Sequence, residues 1–136
     1  MIVIVCLDEN QGMMFHGRRQ SRDKAVSERI EQICKGKRLW MNSYSYQLYG
    51  TLEGAVEDEE FIHKAGSGEF CLVENQHLSM VQKKLEEMII FWWNRSYPGD
   101  FRLDLDLSEW RKRAVREFSG NSHEKITEVC YRPVIK

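Results

Sequence analysis

The sequence predicts an α/β fold, a mostly parallel sheet closed by an antiparallel C-terminal hairpin and flanked by helices. Three observations carry that prediction. Apolar runs rich in β-branched or aromatic side chains lie at 2–7, 70–73 and 88–93, as in strands buried on both faces. Amphipathic stretches separate the early strands, as crossover helices do. In the last third, two strand-like runs flank Ser119-Gly-Asn-Ser122, a turn sequence.

In chain order, Ile2 to Leu7 is the first strand, and Asp8-Glu-Asn-Gln-Gly12 is the turn after it, since Asn and Gly tolerate a left-handed backbone. A polar loop runs on to Arg22. From Asp23 to Lys35 the spacing of Val26, Ile30, Ile33 and Cys34 predicts a helix, which Gly36 ends. Residues 37–42 read as a strand and Tyr44 to Tyr49 as a short helix. The acidic segment 51–69 carries no clear signal. Phe70 to Val73 is a short buried strand. Leu78, Val81 and Leu85 predict a helix over 78–87, running into a strand at 88–93. Tyr97-Pro-Gly-Asp100 is a turn. Phe101, Leu103, Leu105 and Leu107 alternate with Arg102, Asp104 and Asp106, the period of a strand with one wet face. Ala114 to Phe118 and Lys125 to Arg132 form the closing hairpin.

The length of 136 residues fits one domain spanning 1–136. Apolar residues make up 42% and charged residues 30%, with a net charge of −1. That balance argues against general binding to nucleic acid or anionic membranes. No apolar run approaches the length of a membrane span, and Met1 to Cys6 lacks the basic start of a signal peptide, so a cytoplasmic location is expected. The four cysteines and four histidines are scattered without metal-ligand spacing, so no metal site is expected. The thiols read as small core hydrophobes. Composition leaves the oligomeric state open.

Against that background, specific segments resemble dihydrofolate reductase. Val5-Cys-Leu-Asp8-Glu-Asn10-Gln-Gly12-Met13 looks like the family's first strand and active-site loop. Ser21-Arg-Asp23 is similar to the segment bearing its catalytic acid, and Gly36-Lys-Arg-Leu-Trp-Met-Asn42 to the strand before its phosphate-binding turn. Tyr97-Pro-Gly-Asp100-Phe101, Trp110 and Ile126-Thr-Glu-Val-Cys-Tyr-Arg132 resemble its last third. The resemblance implies NADPH as cofactor, Asp23 as catalytic acid, and a small-molecule site at Asn10, Gly12, Met13, Arg19, Trp40, Ser45 and Phe91.

The departures fall on the cofactor and folate positions. The family opens a helix with Gly-Gly after a buried strand, where the pyrophosphate sits; here Glu74-Asn75 follows Val73. Its Gly-Arg-x-Thr turn is replaced by Asn42-Ser43-Tyr44-Ser45. No arginine lies between Ser43 and Trp92 to fork a folate carboxylate, and Phe91 stands where a threonine supports the acid. Whether the chain is an enzyme stays open. It is a divergent reductase of another small heterocycle, or a non-catalytic ligand-binding or regulatory protein on the same fold. Working reduction of folate is not expected.

Asp23 discriminates between these readings. As a proton relay it would be buried, unpaired and aimed towards Val5 and Phe91. As a helix cap it would be exposed, holding backbone amides or paired with Arg19 or Arg22. The missing threonine favours the cap. Arg18, Arg19, Arg22 and Lys24 surround it, either as a solvated face or as a grip for a ligand phosphate or carboxylate.

Overall fold

The computed structural model describes residues 1–134, so the last two residues of the predicted 1–136 unit lie outside the described residues. The chain begins with β1 (Ile2–Leu7), β2 (Gly12–Phe15) and β3 (Arg18–Arg19), followed by α1 (Lys24–Ile33), β4 (Leu39–Met41) and α2 (Ser43–Tyr49). Then come β5 (Ala55–Glu57), α3 (Phe61–Lys64), β6 (Phe70–Leu72) and β7 (Glu87–Trp92). The chain closes with β8 (Phe101–Arg102), β9 (Trp110–Phe118) and β10 (Ile126–Pro133). A seven-stranded sheet runs β5-β4-β6-β1-β7-β10-β9, and β3-β2-β8 forms a separate three-stranded sheet.

The strands expected to be parallel are so: β1 pairs in parallel with β6 and β7, and β4 with β6 and β5. The predicted closing hairpin is β9–β10, antiparallel, with β10 also antiparallel to β7. Central position explains the composition of β1. Val3, Val5 and Leu7 enter the core on one face of the sheet, with Trp40, Met88 and Ile90. Ile4 enters the other, where Val26 and Ile30 of α1 pack with Leu39, Met41 and Phe91. Trp92 and Trp93 divide between the two faces, as adjacent positions on extended chain must.

Four local predictions need correction. The loop through Arg22 contains a hairpin, because His16 (φ 50°) and Gly17 (φ 73°) form a two-residue turn with both φ positive, the geometry that matches strand twist. The unreadable segment 51–69 holds edge strand β5 and α3, whose Phe61 and Ile62 are buried. The helix expected over 78–87 is a 3₁₀ turn, Ser79–Lys84. Leu78, Val81 and Leu85 are buried as their spacing implied, but Glu87 is already paired with Ile2, so the strand takes the end of the segment.

The wet-faced strand expected over 101–107 keeps its alternation, with Leu103 and Leu105 buried, but only Phe101–Arg102 pairs. Asp104 accepts from the N–H groups of Leu78 (2.7 Å) and Ser79 (3.1 Å), and Asp106 from that of Ser108 (3.0 Å). Carboxylate–amide bonds hold this segment where a ladder would otherwise be needed.

All four cysteines are free, and burial raises the thiols of Cys34, Cys71 and Cys130 to about 12. Among the described residues no helix is long and apolar enough to cross a membrane. At the start of α2, Asn42 Oδ1 accepts from Ser45 N–H (3.1 Å), while its Nδ2 donates to Asn75 (2.7 Å). Asn42→Ala is expected to cost about 1–2 kcal/mol in urea denaturation, from the lost cap and the unpaired Asn75 carbonyl.

Candidate functional site

In open sheets with parallel strands, ligands bind beyond the carboxyl ends of those strands. Here those ends present Asp8 after β1, Asn42 after β4 and Glu74 just after β6. Asp8 is buried and organises the loop. Its Oδ1 accepts from Asn10 N–H (2.9 Å) and Gly12 N–H (2.8 Å), and its Oδ2 from Tyr97 N–H (3.0 Å) and Gln20 Nε2 (3.3 Å). A Cβ on Gly12 would lie 2.4 Å from Gln20 Nε2 and 3.0 Å from Asp8 Oδ1, so a larger residue there would push the Gln20 amide away from Asp8.

Glu74 is engaged by Arg19 in a two-pronged ion pair, Nε–Oε2 2.8 Å and Nη2–Oε1 2.9 Å. Ser45 Oγ donates to Glu74 Oε1 at 2.8 Å. Tyr44 OH accepts from Arg19 N–H (2.9 Å), and its ring lies 4.6 Å beneath the Arg19 guanidinium. Burial pushes the nearby Cys6 thiol and Tyr49 hydroxyl well up, helped by the Glu74 charge. Beyond Val73 the chain enters no α-helix, and the 3₁₀ turn begins only at Ser79. The end of β6 thus presents a carboxylate and no helix N-terminus. These residues do not fit a pyrophosphate, which needs converging amides.

A second polar cluster joins the start of α1 to the β9–β10 loop. Asp23 caps α1, accepting from Ala25 N–H (2.9 Å), as one sequence reading expects, yet it is only 4% exposed. Its carboxylate points to the β9–β10 loop, accepting from the N–H groups of Asn121 and Ser122 (both 2.9 Å) and from Ser122 Oγ (3.1 Å). His123 Nδ1 lies 2.9 Å from Asp23 Oδ2. Burial alone pushes this carboxyl up, but the bonds from Asn121, His123, Ser122 and Ala25 outweigh it and hold it well below the usual carboxylate range. An ionised carboxylate only accepts, so Nδ1 carries the imidazole proton. His123 Nε2 meets Tyr97 OH at 2.9 Å and Ser21 Oγ at 3.0 Å. The Trp93 ring is stacked on the imidazole, centroids 4.5 Å apart.

The predicted site residues do not converge. Trp40 and Phe91 lie in cores on opposite faces of the sheet, and Trp40 Nε1 donates to Glu69 (3.2 Å). Met13 is buried in the Trp40 core. Asn10 is exposed and donates to Ser96 Oγ (2.9 Å). They meet only in separate groups: Arg19 and Ser45 through Glu74, and Asn10 and Gly12 through Asp8 Oδ1.

Of the predicted ligand-binding residues, Arg19 alone lines the two polar hollows beside β3. One of about 530 Å³ is lined by Arg18, Arg19, Ser21, Arg22 and Tyr44. Another of the same size is lined by Phe15, His16, Arg18, Arg19, Gln20, Tyr97 and Pro98. Sequence reasoning missed Ser21, Tyr97 and His123 as a group. Ser21 and His123 are 102 positions apart in the chain, and no local pattern marks their meeting.

No protein-family model matches the sequence, and no curated protein matches it either. Among solved structures, the chain is similar to dihydrofolate reductase from Enterococcus faecalis complexed with NADP(H) and RAB-propyl. The likeness has a TM-score of 0.70 at 13% sequence identity, over 98% of this chain and 96% of that one. The mixed sheet, the β9–β10 hairpin and the flanking helices therefore have the dihydrofolate reductase fold.

Proposed function

We propose that this protein binds a small anionic ligand at the arginine-lined hollow beside β3, and that it does not reduce folate with NADPH. The observation that carries this reading is the Arg19–Glu74 fork. It places a carboxylate, already saturated by Arg19 and Ser45, at the end of β6. A cofactor phosphate arriving there would meet like charge. Arg18 and Arg22, by contrast, enter no ion pair among the described residues and line the same open hollow. Guanidinium groups fit phosphate and carboxylate in two-pronged geometry.

Inorganic phosphate, titrated while backbone amide shifts are followed by NMR, tests the reading. Millimolar binding, about −4 kcal/mol, is expected, with the largest shifts at residues 18–22. Arg18→Ala or Arg22→Ala is each expected to weaken it about tenfold. No saturable shift at those residues would overturn the proposal.

A second reading, reduction of another heterocycle, draws on the likeness to a reductase solved with NADP(H). NADPH titration followed by tryptophan fluorescence separates the two. Micromolar binding, about −8 kcal/mol, would favour the reductase.

A further inference from the structure

One group of side chains is not used by anion binding. Ser21 Oγ, His123 and Asp23 form a relay, with Oγ–Nε2 3.0 Å and Nδ1–Oδ2 2.9 Å. From this geometry we infer that Ser21 is a nucleophile for acyl transfer, with His123 as its general base and Asp23 as the group that orients the base. The substrate class is an ester whose acyl part carries an anionic group. That class, though not the nucleophile, rests on the anion-binding reading above.

The separations are those at which a hydroxyl, an imidazole and a carboxylate work as a unit on unrelated folds. The roles follow from burial. The Asp23 and His123 side chains are at most 1% exposed, so the carboxylate and ring are held away from solvent. Ser21 alone opens outward, half-buried, into the hollow with Arg18 and Arg22. The ring is fixed in plane by Trp93 stacked on one side. With Nδ1–H committed to Asp23, Nε2 offers its lone pair to the two hydroxyls that reach it. A network that only pinned loops would be complete with Tyr97 as the donor at 2.9 Å. Ser21 Oγ reaches Nε2 as well, lies 3.5 Å from Tyr97 OH, and is the hydroxyl that opens into the hollow with Arg18 and Arg22.

In the step proposed, Ser21 Oγ attacks the ester carbonyl carbon and its proton passes to His123 Nε2. The carbon–oxygen bond to the alcohol then breaks, and His123 returns that proton to the leaving oxygen. Water attacks the acyl-serine, gives a proton to Nε2 and releases the acid, and the proton returns to Oγ. The Arg22 N–H, next along the chain and without an acceptor among the described residues, is placed as the residue after the nucleophile is in other acyl-transfer sites. Arg18 and Arg22 then select an acyl group with a phosphate or carboxylate.

A neutral fluorophosphonate ester tests this on the whole chain. Its phosphorus forms a bond to Ser21 Oγ as fluoride leaves, and intact mass with peptide mapping reads the adduct. One adduct on Ser21 is expected, absent from Ser21→Ala. His123→Gln, once shown by circular dichroism to be folded, should react at least about a hundredfold more slowly.

Tyr97→Phe is the variant that separates catalysis from structure. Tyr97 OH competes with Ser21 for the Nε2 lone pair (2.9 Å) and lies 3.5 Å from Ser21 Oγ itself, so removing it leaves Nε2 to Ser21 and the Oγ lone pairs free, and labelling should speed up. Labelling at Ser21 that is unchanged or slower in Tyr97→Phe would overturn the base assignment. Absence of any adduct on the folded wild-type protein would overturn the nucleophile. Phosphate binding that persists without labelling sinks this inference alone. Labelling without phosphate binding sinks the anion reading and its substrate class.

Discussion

Asp23→Ala is expected to lower stability by about 4 kcal/mol in urea denaturation, because one carboxylate satisfies donors from two distant segments. Its removal strands the N–H groups of Asn121 and Ser122 and the His123 ring N–H. A donor left without an acceptor costs about 1–3 kcal/mol where it is buried, as at His123, and less at Asn121 and Ser122, where water can enter. A loss of that size is a large share of the roughly 5–15 kcal/mol that holds an ordinary domain together. The effect also has a pH signature. Folded Asp23 titrates below its unfolded value of about 3.9, so the folded state binds fewer protons there than the unfolded chain. Its contribution is fully present above about pH 4 and is lost as pH falls towards the folded midpoint. The gap between wild type and Asp23→Ala should therefore narrow with acid, and a gap that widened would contradict the assignment.

Glu74→Ala is expected to cost about 2–3 kcal/mol, for a different reason. Arg19 and Glu74 are 20% and 12% exposed, so water screens the pair only in part. Removing the carboxylate leaves the guanidinium short of two acceptors and Ser45 Oγ of one. Breaking a buried pair leaves one charge uncompensated, whereas replacing both partners by apolar groups relieves both desolvation costs. The double variant Arg19→Met with Glu74→Leu should accordingly lie within about 1 kcal/mol of wild type. Its cost should be smaller than that of the single change, a failure of additivity diagnostic of direct contact. If the double variant were as unstable as the sum of both singles, the fork would not be a coupled pair.

The contrast between these two sites shows what the sequence could reveal. The frame was legible because it is periodic. The β-branched run at 2–7, the spacing of Val26 and Ile30, and the apolar segment at 88–93 each state their own environment. Glu74 was legible as an acid out of place, since the resemblance sets a glycine pair there. What stayed hidden was either local geometry or long-range convergence. The hairpin at 12–19 hangs on positive φ at His16, a histidine with no turn signature. The strand expected over 101–107 gave way because Asp104 and Asp106 found backbone amides to hold. The sequence sets Asp23 beside Arg19 and Arg22, whereas all partners of its carboxylate but Ala25 lie about a hundred positions away. A carboxylate cannot advertise in sequence which loop will fold back over it.

The outermost strand carries a consequence of another kind. β9 ends the large sheet, and from Arg111 to Glu117 it is exposed. Its outer edge is therefore a template on which another strand could extend the sheet. Its exposed stretch carries Arg111, Lys112, Arg113 and Arg116 against one acid, Glu117, so two copies meeting along this edge would bring net positive charge together. That excess of positive charge opposes pairing of two such edges, and the opposition depends on the solvent. At 1 M ionic strength the screening length falls to about 3 Å, shorter than the distance across a pair of strands. Pairing along this edge is therefore expected to become easier as salt rises.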